Sequence, residues 1–231
     1  MEKLMKPFIF TLVIFLLSCQ NNETPDKLLK TAKRLEGDVL RCTEKISQCK
    51  TNYENILIKF PESEAAPVAC FKLGRLNELF GHFKDAADYY RKLAQNYPES
   101  SLCCEGLYRL ARIDNFNLDR HEEAIIIYQR LRDLYPDSAR AVDACLDQAE
   151  IYLKKSKPLK AIATYQEFVS GRPGHPLREE IYFRIGGIYQ FKIKDPDQAR
   201  KIYEKIMKDS PRSSWAKISD ERIKSLQEGE K

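Results

Sequence analysis

The chain has 231 residues, of which 43% are apolar and 32% charged, a balance that excludes a disordered chain and fits a folded body. Its 39 basic and 34 acidic residues leave a net charge of +5. No Lys/Arg block gathers that charge, so the chain lacks the electrostatic footprint of a nucleic-acid binder.

Residues 1–19 read MEKLMKPFIFTLVIFLLSC. Lys3 and Lys6 form a short positive start, and Phe8 to Leu17 is an apolar run of about ten residues, too short to span a bilayer core as a helix. That is the pattern of an export signal rather than of a transmembrane anchor. Leu16-Leu17-Ser18-Cys19 resembles the lipobox of bacterial lipoproteins, in which the cysteine is diacylated and becomes the new N-terminus. The resemblance implies a signal peptide over 1–18, lipidation of Cys19 by diacylglycerol and an N-acyl chain, and a polar lipidated tether over 19–25. Several acyl chains give effectively permanent attachment. A plain signal peptide with an incidental cysteine is the other reading. Gln20 rather than Asp follows the cysteine, which by the sorting rule of Gram-negative lipoproteins implies the periplasmic face of the outer membrane.

Beyond the tether the chain repeats itself. Prolines fall at Pro61, Pro98, Pro136, Pro173 and Pro211, and tyrosines at Tyr53, Tyr90, Tyr128, Tyr165 and Tyr203; both series have gaps of 37, 38, 37 and 38. Alanines sit at Ala86, Ala124, Ala161 and Ala199, with Cys49 at the matching place in the first unit. A small residue recurs earlier in each unit, at Gly37, Gly74, Ala111, Ala149 and Gly187. Each mark has a physical task. The small residue and the alanine let two helices cross closely. The tyrosine fills the space beyond them, and the proline ends the second helix. The pattern predicts helix pairs over about 26–60, 65–97, 102–135, 140–172 and 177–210, and a polar-faced final helix from Ser213 to Gln227, with a frayed end.

This pattern resembles the tetratricopeptide repeat, in which a small residue is followed twelve positions on by alanine, then an aromatic, then proline. Gly74–Ala86, Ala149–Ala161 and Gly187–Ala199 are twelve apart, whereas Ala111–Ala124 is thirteen, so the third unit carries an extra residue near Asn115–Arg120. The usual unit has 34 residues, so this spacing implies longer helices or turns. The implied fold is all-α: a tetratricopeptide-repeat superhelix of five helix pairs over 26–216, with 217–231 the rest of the C-terminal helix and its tail.

Catalytic chemistry finds few candidates. Besides Cys19 there are Cys42, Cys49, Cys70, Cys103, Cys104 and Cys145. Three readings stand: structural thiols, at least one disulfide (with Cys42/Cys49 the pair to test first), or a metal or redox role. Cys70 and Cys145 lie four before the small mark, an inward place that the fifth unit gives to Phe183. His82 and His121 fall in inter-helix turns, and the third histidine is His175. There is no CxxC, HExxH, GxSxG or phosphate-binding loop, and nothing calls for a metal, a cofactor or a small-molecule substrate. The chain reads as a non-enzyme.

The first helices of stacked pairs line one face. On them an aromatic lies one turn from an arginine in Phe71/Arg75 and Tyr108/Arg112, with Phe116, Arg184 and Phe191 on comparable surfaces further on. Such pairs suit an extended peptide, so Phe71, Arg75, Tyr108, Arg112, Phe116 and Arg184 form a candidate partner-binding groove. Against this stands the reading that the aromatics close the core and the arginines are solvated.

An exported lipoprotein of this length built from five such repeats resembles the BamD (YfiO) family. That resemblance implies an outer-membrane scaffold whose partners are the barrel-assembly machinery and unfolded outer-membrane proteins. The turns Tyr-Pro-Glu/Asp-Ser at 97–100 and 135–138 and Gly-His-Pro at 174–176 are similar to that family's turns. They also resemble those of the YbgF/CpoB cell-division coordinators, which usually carry a coiled coil and no lipobox. Another cell-envelope scaffold, for cell division, secretion or polysaccharide export, is the alternative.

Overall fold

The computed structural model describes residues 23–36 and 43–229, which therefore excludes Cys19, Gly37 and Cys42. Among the described residues eleven helices follow in order: α1 (Pro25–Glu36), α2 (Thr43–Lys59), α3 (Ala65–Leu79), α4 (Phe83–Asn96), α5 (Cys103–Phe116), α6 (His121–Leu134), α7 (Ala139–Lys154), α8 (Pro158–Gly171), α9 (Arg178–Ile188), α10 (Pro196–Asp209) and α11 (Ser214–Gly229). One π-helical turn, Tyr189–Ile193, continues α9. No strand occurs among the described residues. They fall into two compact bodies, one up to Cys103 and one from Cys104 onward.

The repeated marks are the core. Tyr53, Tyr90, Tyr128, Tyr165 and Tyr203 are buried, as are Cys49, Ala86, Ala124, Ala161 and Ala199. The tyrosine ring lies against the small residue. A Cβ added to Gly74 would stand 2.6 Å from a Tyr90 ring carbon, and one added to Gly186 would stand 2.5 Å from Tyr203. Gly187 meets nothing within 4 Å. The small mark of the fifth unit is therefore Gly186, not Gly187.

That shift of one explains the alternating period. Each intra-unit turn among the described residues has one widest backbone bond: His82 N–H to Asn77 O, Arg120 to Asp114, Lys157 to Tyr152 and Asp195 to Tyr189. The spans are five, six, five and six residues. The third unit takes its extra residue in the loop after Phe116, and the fifth takes its own in the π turn, a common device for one inserted residue. Just before each closing donor stands a left-handed residue: Gly81 (φ 75°), Asp119 (56°), Ser156 (54°) and Lys194 (62°).

The turns between units repeat as well. Ser63, Ser100, Ser138 and Ser213 occupy one column, each with its N–H bonded to the carbonyl three residues back. Ser138 Oγ accepts from Ala141 N–H at 3.1 Å, the action of a helix N-cap. His175 holds the same column in the fourth turn, where its Nδ1 accepts from Leu177 N–H at 3.1 Å. Its ring meets Phe168 edge-on at 5.1 Å.

The described cysteines are free thiols, and Cys49, Cys70, Cys103 and Cys145 are buried. Cys70 donates to Tyr89 O and Cys145 to Thr164 O, each nineteen residues ahead on the paired helix. With Gly186 as the mark, their column continues to Tyr182, so Phe183 is not its fifth member.

Candidate partner-binding face

Two of the candidate aromatics are interior groups. Phe71 and Tyr108 are each only 8% exposed. They stand three before the small mark, the column that also holds Phe183. Their rings pack on the repeat tyrosines: Phe71 on Tyr90 at 5.8 Å, Tyr108 on Tyr128 at 6.1 Å, Phe183 on Tyr203 at 5.4 Å. Tyr108 and Tyr128 both donate to Asp147 Oδ2, at 3.1 and 3.0 Å. Burial first, and then the Asp147 carboxylate, push the Tyr108 hydroxyl up to about 12. Phe71 and Tyr108 therefore hold helices together and present no open ring to a ligand, a correction to the groove drawn from the sequence.

The arginines behave differently. Arg75 and Arg112 are exposed, one position after the small mark. Arg112 leans over Phe116 with its guanidinium carbon 5.6 Å from the ring centroid. Lys154 Nζ approaches the same ring at 5.5 Å. Arg184 stands two before the mark, so it belongs to another column, where it bonds Glu180 Oε1 at 2.8 Å.

An exposed column lies five after the mark, with three apolar members, Leu79, Phe116 and Phe191, and one cation, Lys154, spaced by 37, 38 and 37. Phe116 is 54% exposed and Phe191 57%. Phe191 has Arg222 of α11 at 5.6 Å. Within the C-terminal body this column continues into a cleft of about 190 Å³ lined by Glu150, Leu153, Tyr165, Arg184, Ile188 and Lys192, besides Gly187 and Phe191. Gly187 keeps the cleft open, since a side chain there would stand in it. Burial pushes the Tyr165 hydroxyl at its base up to about 12 against the opposing pull of Arg184.

The face thus offers exposed phenylalanine rings under cations, a combination that holds aromatic and acidic groups of a partner through apolar contact and charge. Desolvation pushes the Cys49 and Cys145 thiols up to about 11 and Cys70 to about 12, away from the nucleophilic thiolate. His121 is engaged by Asn115 and Asp119, both at 2.9 Å. No group of metal-ligating side chains occurs among the described residues.

Comparison with known proteins agrees with this architecture. Residues 69–100, 105–138 and 180–213 match the tetratricopeptide repeat family. No curated protein matches the chain. Among solved structures, MamA protein is similar at 22% identity over 81% of this chain and 92% of its own, with a TM-score of 0.56. A tetratricopeptide repeat protein from Parabacteroides merdae is similar at 14% identity, covering 87% and 72%, with a TM-score of 0.55. YrrB, described as a TPR protein with an unusual peptide-binding site, is similar at 16% identity, covering 87% and 94%, with a TM-score of 0.53. Proteins of this repeat class are generally non-catalytic scaffolds for protein–protein contact. The chain has the tetratricopeptide-repeat fold, and its segments 69–100, 105–138 and 180–213 match the model of that repeat.

Proposed function

We propose that the chain is a lipid-anchored scaffold on the periplasmic face of the outer membrane, where it binds protein partners in the assembly and insertion of β-barrel proteins. The observation that carries the binding role is the exposed column of Phe116, Lys154 and Phe191 beside an open cleft. A column that repeats with the units suits an extended polypeptide, which offers side chains at regular intervals. YrrB, with a similar fold and a peptide-binding site, supports that ligand class. The anchor rests on the Leu16-Leu17-Ser18-Cys19 box with Gln20 behind it. The barrel-assembly role rests on the resemblance of box, length and turns to the BamD family. No described helix is long and apolar enough to cross a membrane.

The test is one affinity isolation from envelope membranes, made with the native chain and with Cys19→Ala, and followed by depletion. The native chain should sediment with outer membrane and bring barrel-assembly proteins with it, and depletion should lower barrel-protein levels. Cys19→Ala should appear in the soluble periplasm. Membrane retention of Cys19→Ala would remove the lipid anchor. Barrel levels that hold steady on depletion would remove the assembly role and leave a scaffold for another envelope process.

A further inference from the structure

A second surface belongs to the N-terminal body alone. The turn before α3 and the turn after α4 run side by side and enclose a cleft of about 550 Å³. Its apolar walls are Pro67 and Val68 from the first turn of α3 and Tyr97, Pro98 and Leu102 from the opposite turn. This volume is within the range of ligand-binding clefts, roughly 300–1,000 Å³. The charged residues lining it are Glu62, Glu64 and Glu99, and no lysine, arginine or histidine lines it. All three carboxylates are exposed, and none makes an ion pair among the described residues. Burial raises the Tyr97 hydroxyl above its ordinary range, with Cys70 and Glu62 adding to the shift.

We propose that this cleft is a docking site for a protein segment in which an apolar side chain is flanked by lysine or arginine. The apolar side chain would fill the space between Val68 and Tyr97, while the flanking cations would meet the carboxylates on the rim. Charge decides the class of occupant. The rim repels anionic headgroups, so a membrane surface does not fit. A rim of acids around apolar walls selects a cationic, amphipathic segment. The first-helix face of the C-terminal body carries Arg112, Lys154, Arg184, Lys192 and Arg222 and so has the opposite preference. Two sites of opposite charge let one chain hold two unlike partners.

The test pans a random dodecapeptide phage library on the full chain and, in parallel, on the Glu62→Gln/Glu64→Gln/Glu99→Gln variant. Glu64 makes no side-chain cap bond at the start of α3, so the variant keeps its helix start, and circular dichroism checks this. Peptides selected by the native chain alone should carry Lys or Arg beside a large apolar residue. As synthetic peptides they should bind the triple variant roughly tenfold more weakly, the sum of a few exposed ion pairs. Binding should weaken with salt, should fall with Val68→Lys, and should be indifferent to Arg184→Glu. Selected peptides without a cationic preference, or with affinity unchanged in the triple variant, would overturn the proposal. Peptides lost with Arg184→Glu would report the first-helix face instead and overturn it equally, while supporting the reading of that face.

Discussion

Adjacent glycines in the fifth unit show how much depends on one side chain. Gly186 and Gly187 share a helix and a composition, yet a Cβ on the first would strike the buried Tyr203 ring, and a Cβ on the second would meet open space. Gly186→Ala should therefore lower stability by about 1–2 kcal/mol, overpacking outweighing the gain in helix propensity. Gly187→Ala should raise it by up to about 1 kcal/mol. Urea titration followed by circular dichroism reads both, and equal effects from the two variants would contradict the assignment of Gly186. The thiols give a second expectation at this scale. Burial raises Cys49, Cys70 and Cys145 from 9.0 to about 11–12. Above pH 9 the unfolded chain loses these protons while the folded chain keeps them, so stability is full below about 9 and falls as pH rises toward 11–12. Thiol labelling at pH 8 should leave Cys49, Cys70, Cys103 and Cys145 unmodified until urea is added, as peptide mapping by mass spectrometry would show.

Helix pairs, the tyrosine and alanine marks and the turn prolines were legible in the sequence, because each answers to a steric demand that recurs at fixed spacing. The location of the extra residue in the fifth unit was not. Counting back twelve from Ala199 lands on Gly187, a small residue that satisfies the pattern by coincidence. Only the π turn at Tyr189–Ile193, which sequence does not announce, moves the mark to Gly186. The candidate groove went astray for a related reason. An aromatic four before an arginine shares a helix face with it in outline, but the Phe71 and Tyr108 column is drawn inward by the large tyrosine of the paired helix. The exposed column five after the mark becomes regular only once Gly186 is the reference. The turns invite an element-scale experiment. Three of four left-handed turn positions carry a side chain, although glycine adopts φ > 0 without steric cost. Lys194→Gly and Ser156→Gly should each stabilise their unit by about 0.5–1 kcal/mol, relief of strain exceeding the added chain entropy. Asp119→Gly should gain less, since it gives up the 2.9 Å contact to His121. A lower urea midpoint for Lys194→Gly would show that the left-handed turn is not strained there.

At the scale of the whole molecule, one scaffold carries two kinds of aromatic residue with opposite duties. Phe71, Tyr108 and Phe183 spend their surface on the repeat tyrosines, whereas Phe116 and Phe191 leave more than half of theirs to solvent. In a repeat array stability is a sum of units and their interfaces, so an interior ring is felt as folding energy and an exposed ring is not. Phe71→Ala should cost about 3–5 kcal/mol through the cavity left against Tyr90. Phe116→Ala and Phe191→Ala should each change stability by less than about 0.5 kcal/mol, since they remove exposed side chains. Their effect should appear in binding. The cations Arg112, Lys154 and Arg222 that gather over these rings would keep their charge but lose the surface that orients it. Removing both rings together should therefore weaken capture of an extended protein partner more than either alone, because such a ligand engages several places on one face at once. The comparison with Arg75→Glu/Arg112→Glu separates the two contributions. A loss that follows charge alone, with the double alanine variant binding as the native chain does, would reduce the face to an electrostatic one. Equal loss in both would mean that ring and cation act as one recognition element.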